Sequence, residues 1–266
     1  MTMPIATPEP VFLTVGKAET ARRIAMHILP ERPGSGLPAL VWLGGYRSDM
    51  SGTKAVALEE HARETGAACI RFDYSGHGVS EGAFTDGTIS RWLEESLAVI
   101  AHAGCPRIVL VGSSMGGWIA LRVLQELKKL DKSDHVAGLL LIAPAPDFTS
   151  ALIEPHLTEA ERQSLATRGY FEEPTPYGPT PNIFTRALIE DGRLNRVLTG
   201  VISTGCPIHI LQGMQDPDVP YSHALTLLEH LPADDIVLTL IRDGDHRLSR
   251  PQDINRMLKA IAELSR

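Results

Sequence analysis

Apolar positions along this chain follow two periods that take turns. Short β-branched and aliphatic runs at Val11–Val15, Arg22–Leu29, 40–43, 68–73, 108–111, 138–142, 206–212 and Ile236–Ile241 have the length and composition of strands. Between them, residues 51–65, 90–103, 114–130 and 252–265 space their apolar side chains three or four apart, which predicts helices with one buried face. Trp92, Leu93, Leu97 and Ile100 form one such stripe, and Ile254, Leu258, Ile261 and Leu264 another. Residues 138–142 are apolar throughout, as a strand covered on both faces requires. Strands alternating with helices predict an α/β fold with a mostly parallel, doubly wound, twisted sheet.

The alternation stops at Ala143-Pro144-Ala145-Pro146. From 147 to about 205 no strand signal is present, only helical patches at 158–166 and 183–189 around the proline-rich 174–181. The strand pattern resumes at once, so this insertion is expected to be a small helical cap over the site rather than a linker. It carries Phe148, Leu152, Leu157, Leu165, Tyr170, Phe171, Tyr177 and Phe184 for packing or for lining a pocket. With no repeat and no second boundary, residues 1–266 read as one domain with this cap.

One strand-to-helix junction carries chemistry. The run Ile108 to Val111 breaks into Gly112-Ser113-Ser114-Met115-Gly116-Gly117 and then into a helical pattern. Gly-x-Ser-x-Gly arises by chance in about one chain of this length in ten, so the strand before it and the helix after it matter more than the pentapeptide. In that setting it is a nucleophile elbow, with Ser114 on a strained turn and the following helix presenting its N–H groups and dipole to whatever bonds there. The backbone N–H of Met115 then faces an oxyanion formed by attack of Ser114.

Composition narrows the partners. A net charge of -7 argues against nucleic acid and anionic membrane surfaces, which are held by clustered Lys and Arg. Cys69, Cys105 and Cys206 are odd in number and widely spaced, which fits a reducing compartment and no metal pattern. Met1-Thr2-Met3-Pro4 opens no secretory signal and no apolar run approaches a membrane span, so a cytoplasmic protein without stable membrane insertion is expected.

A serine hydroxyl needs a base within hydrogen-bond reach and a third group to orient that base. Of the ten histidines, most lie on predicted helices, inside strands or in the cap, whereas His246 directly follows the last strand. His77, between glycines, precedes the serine and reads as a structural loop residue. Asp216 and Asp218 share the loop after the 206–212 strand, and the Gly-x-x-Asp-x-x-Val-Pro spacing selects Asp216, leaving Asp218 as a turn residue. Ser114, Asp216 and His246 thus stand in the order Ser, Asp, His after three strands, where open parallel sheets collect their catalytic groups. The backbone N–H of Tyr46, after the 40–43 strand and Gly44-Gly45, is the candidate second oxyanion donor.

With these residues in place the chain resembles the α/β-hydrolase superfamily over nearly its whole length. Within it, Gly45-Tyr46, residues 51–55, Cys69 to Gly76, Val111 to Trp118, Gly213-Met214 with Asp216 and Val219-Pro220, and Asp245-His246-Arg247 resemble one branch. That branch is the mitochondrial palmitoyl-protein thioesterase that is also a mycophenolic acid acyl-glucuronide esterase, with its bacterial relatives. The resemblance implies an α/β-hydrolase fold, the same Ser114, Asp216 and His246, and cofactor-free hydrolysis of acyl thioesters and acyl-glucuronide esters. The substrate would be a small molecule or an acylated protein. The alternatives are a general short-chain carboxylesterase and a non-catalytic binding protein on the same fold.

Overall fold

The computed structural model describes residues 9–231 and 235–266. The expectation drawn from Met1 to Pro4 lies outside them. The strands are β1 (Val11–Val15), β2 (Arg22–Leu29), β3 (Ala39–Leu43), β4 (Cys69–Phe72), β5 (Ile108–Ser113), β6 (Val136–Ile142), β7 (Tyr170–Glu173), β8 (Asn182–Thr185), β9 (Ile208–Gly213) and β10 (Ile236–Ile241). The α-helices are α1 (Thr53–Thr65), α2 (Ile89–Ala103), α3 (Met115–Lys129), α4 (Glu159–Arg168), α5 (Arg186–Leu194), α6 (Tyr221–His230) and α7 (Pro251–Leu264).

Eight strands form one sheet in the order β1-β2-β4-β3-β5-β6-β9-β10. β2 is antiparallel to both β1 and β4, and every pairing from β4 to β10 is parallel. The side-chain period of two then sorts the core onto two faces. Leu40, Trp42, Val109, Val111, Leu140 and Ile142 meet α1 and α7 through Ala55, Leu58, Met257 and Ile261. Val41, Leu43, Leu110, Leu139, Leu141 and Ile210 meet α2, α3 and α6 through Trp92, Trp118, Ile119, Leu124 and Leu227. The mostly parallel, doubly wound sheet is the one the alternation predicts, and its strand order fits the arrangement that the resemblance implies.

Residues 147–205 depart from the pattern. A π-helical turn at Thr149–Ile153 leads through a 3-10 turn at Glu154–His156 into α4, whose Thr158 and Glu161 form a capping box. β7 and β8 then make an antiparallel hairpin with Phe171 opposite Phe184, where the chain pattern has no strand signal. Each hairpin strand is four residues long, too short for alternation to register. The 183–189 helical patch splits for the same reason, because Thr185 ends β8 and also caps α5 by accepting from Leu188 N–H. The pattern also predicts no helix over Tyr221–His230, where α6 packs Ala224 and Leu227 into the core. Among the described residues no helix is long and apolar enough to cross a membrane. The three cysteines are free thiols.

A buried charge network fixes the antiparallel edge to α2. Arg22 Nε donates to Glu95 Oε1 at 2.6 Å, and Glu95 Oε2 accepts the Ser75 N–H at 2.9 Å. Glu95 is fully buried, so it depends on these partners for solvation. Arg22→Met strands the carboxylate and should cost about 3–5 kcal/mol in urea unfolding, while adding Glu95→Leu should recover much of that loss.

Candidate active site

Ser114 sits between β5 and α3 with φ 54° and ψ -118°, a conformation that costs an L-residue of order 1–3 kcal/mol. Two glycines make the turn possible. A Cβ on Gly112 would overlap the Gly116 carbonyl, and one on Gly116 would overlap the carbonyls of Leu43 and Gly44. The strained serine is pinned by its neighbours: its N–H donates to Ile142 O at 2.9 Å, and its carbonyl accepts from Gly117 at 2.9 Å and Ala145 at 3.2 Å.

His246 follows β10, and Asp216 follows β9, so both arrive at the carboxyl end of the sheet beside Ser114. His246 Nε2 lies 3.1 Å from Ser114 Oγ, and its Nδ1 lies 2.8 Å from Asp216 Oδ2. An ionised carboxylate only accepts, so in the neutral ring Nδ1 carries the proton and Nε2 accepts from the hydroxyl. The Asp216 side chain is fully buried and its oxygens are saturated. Oδ1 accepts the N–H groups of Asp218 at 2.9 Å and Val219 at 2.8 Å, and Oδ2 also accepts Gln212 Nε2 at 3.1 Å. Asp218 makes no hydrogen bond to His246 and accepts Tyr177 O–H at 2.5 Å instead. Asp216, Asp218 and His246 present their ligand atoms within 4.8 Å of one another.

Tyr46 and Met115, the two residues expected to supply backbone donors, line the same cavity as Ser114 and His246. Met115 opens α3. The loop bearing Tyr46 presses on the elbow, with the space for a Gly45 Cβ only 3.2 Å from Ser113 O and 3.4 Å from Ser114 Cβ. The structure also finds two supports that residue types alone do not reveal. One is Gln212, the penultimate residue of β9, which bridges Asp216, Gly213 O and Val219 O. The other is His77, whose Nε2 accepts the Arg47 N–H at 3.2 Å and whose Nδ1–H meets Ser75 O at 3.2 Å. The expected structural role of His77 is therefore a specific one, to hold the Tyr46-Arg47 loop.

The cap closes over these groups. Arg47 donates to the carbonyls of Thr180 and Pro181, Tyr46 O–H donates to Ile183 O, and the Tyr46 ring stacks on Phe184 with centroids 5.3 Å apart. The cavity beneath it has a volume of about 800 Å³ and opens to solvent. Phe148, Leu152, Ile153, Leu157, Phe171 and Phe184 give it one apolar wall.

Residues 32–257 match the alpha/beta hydrolase family. The chain belongs to that family. Palmitoyl-protein thioesterase ABHD10, mitochondrial, of Pongo abelii is 31% identical over 229 residues, which is 85% of this chain and 72% of the relative. The structure of mouse alpha/beta hydrolase domain-containing protein 10 superposes with a TM-score of 0.82 at 28% identity, covering 96% of this chain and 98% of the other. A crystal structure from Agrobacterium vitis S4 superposes with a TM-score of 0.94 at 62% identity, covering 97% of this chain and 99% of the other. This alpha/beta hydrolase is thus similar to palmitoyl-protein thioesterases and to a bacterial protein across the cap as well as the sheet.

Two outcomes test the geometry. Gly116→Ala drives a methyl into the end of β3, so it should lower the unfolding midpoint and distort the Ser114 turn together. His77 is held neutral because burial lowers its pKa to about 4, against 6.5 in the unfolded chain. As pH falls from about 6.5 to 4 the unfolded chain takes a proton that the folded His77 refuses, so its contribution to stability drops by about 1.4 kcal/mol per pH unit. His77→Gln should flatten urea stability against pH in that window.

Proposed function

We propose that this alpha/beta hydrolase cleaves acyl esters or thioesters through an acyl-enzyme formed on Ser114. The observation that carries the reading is the continuous hydrogen-bond chain from Ser114 Oγ through His246 to the buried Asp216. His246 Nε2 takes the hydroxyl proton as Oγ attacks the substrate carbonyl carbon. The tetrahedral oxyanion is held by the N–H groups of Met115 and Tyr46, reinforced by the dipole of α3. Collapse expels the alkoxide or thiolate, which leaves with the proton from His246. A water then gives its proton to the same Nε2, attacks the acyl-serine, and releases the carboxylic acid and Ser114. Asp216 keeps the ring in the tautomer that accepts from serine and stabilises the imidazolium formed in each step.

The acyl part is a long chain or a bulky aromatic acid, and the products are this acid with a thiol or a sugar. Palmitoyl-protein thioesterase activity and acyl-glucuronide esterase activity are the two forms this reaction takes. Two points support this. The relatives at about 30% identity are named palmitoyl-protein thioesterases, and the apolar wall beneath the cap suits an extended hydrocarbon.

Ser114→Ala should lower kcat at least about 10³-fold while leaving the fold intact, and should abolish labelling by a fluorophosphonate. Asp216→Asn should be far more damaging than Asp218→Asn; the reverse result moves the acid to Asp218. The ratio of kcat/KM for an S-palmitoyl-cysteine peptide to that for an aryl acyl glucuronide decides which ester the site serves.

A further inference from the structure

The loop that joins β7 to β8 borders the cavity and is held there by side chains. Pro174, Pro176, Pro179 and Pro181 supply it no backbone N–H. Among the described residues, no backbone-to-backbone hydrogen bond ties residues 174–181 to the rest of the chain. Two side-chain tethers do so instead. On one side Arg47 donates to the carbonyls of Thr180 and Pro181, and to Thr180 Oγ1 at 2.7 Å. On the other the Tyr177 hydroxyl donates to Asp218 Oδ2 at 2.5 Å. The loop is thus a strap from the Tyr46-Arg47 loop to the loop after β9, and Thr175, Tyr177, Gly178 and Thr180 line the cavity along it. Tyr177 is 46% exposed, so its place depends on that hydrogen bond more than on packing.

On the esterase reading above, on which this inference rests, the acyl chain takes the apolar wall and the oxyanion faces the N–H groups of Met115 and Tyr46. The leaving atom must then meet His246 Nε2, from which it takes its proton. The Tyr177 ring lies on that side, its centroid 6.5 Å from that of His246, and Pro217 and Asp218 line the cavity with it. We propose that Tyr177 is a specificity-determining residue for the leaving group: its hydrogen bond to Asp218 latches the strap over that side of the cavity. Small leaving groups react with the latch closed, and a residue within a polypeptide reacts only when it opens. The latch then lowers kcat/KM for bulky leaving groups by the fraction of molecules that are open, and leaves small ones untouched. The competing role for Tyr177 is a strut that steadies Asp218 and, through their shared loop, Asp216. A strut changes the rate of every substrate alike, whereas a latch changes their ratio.

The test compares substrates that share an acyl group and differ in the size of what leaves. One pair is an N-acetylcysteamine thioester and the same acyl group on a cysteine at the centre of a peptide. The other joins the acyl group through oxygen, as a methyl ester and on a serine at the centre of the same peptide. In each pair the peptide-to-small ratio of kcat/KM is measured for the unaltered protein, Tyr177→Phe, Asp218→Ala and the double variant. Loss of a hydrogen bond to a carboxylate should raise the ratio about fivefold or more in each single variant. The double variant should rise no further, because either change alone releases the strap. Ratios that stay within about twofold in both single variants overturn the latch, whether the two substrates slow together or neither changes. A falling ratio overturns it as well, since Tyr177 would then hold the leaving group instead of excluding it. Additive rises in the double variant also count against it, because the two residues would then act separately. If the unaltered protein hydrolyses none of the four substrates, the esterase reading fails; if it hydrolyses the small members while the ratios ignore Tyr177, only the latch fails.

Discussion

The close approach of β3, β5 and α3 at Gly112 and Gly116 is the constraint on which the rest of the site depends. Backbone meets backbone there with no room for a Cβ, so the chain turns within a single residue and throws Ser114 into a left-handed conformation. The same contact places the end of β3 beside the elbow, which brings the Gly45-Tyr46 loop into van der Waals reach of Ser114. A strained residue persists only where its surroundings over-determine it. Here the sheet supplies that through Ile142 O, and the turn through the N–H groups of Gly117 and Ala145.

The loop from Tyr46 to Arg47 is a junction between three regions. Its backbone is held from below by neutral His77, its side chains reach up to β8 and the loop before it, and both residues line the cavity. Cap placement and the geometry proposed for the oxyanion are therefore borne by the same two residues. His77 suits this use because a buried imidazole with Nδ1–H committed to a carbonyl presents Nε2 as a fixed acceptor. A charged ring there would present a proton to the Arg47 N–H and break the contact.

The two aspartates of the loop after β9 differ in environment, and that separates their tasks. Asp216 receives two backbone N–H groups and Gln212, which hold its second oxygen toward His246. Asp218, two residues on, accepts instead from the Tyr177 hydroxyl on the cap. One short turn thereby anchors the proposed catalytic carboxylate and fastens the loop between β7 and β8. Membership of the alpha/beta hydrolase family and likeness to ABHD10 extend over this arrangement.

By itself the sequence determined what is local or periodic. The strands and main helices follow from apolar spacing, the elbow from two glycines around a serine, and Asp216 over Asp218 as the residue turned to His246 from spacing within one loop. These were legible because each depends on residues within about one turn or one strand of each other. The hairpin at Tyr170–Glu173 and Asn182–Thr185 was not legible, since four-residue strands are stabilised by their partner and by Phe171 against Phe184 rather than by their own pattern. Only the tertiary structure decided that Ser114, His246 and Asp216 meet, across separations of 132 and 30 residues. It also decided that His77 props Arg47. Hydrogen bonds and burial act through space, so contacts between distant segments are set by the packing of the whole sheet and not by any stretch of chain.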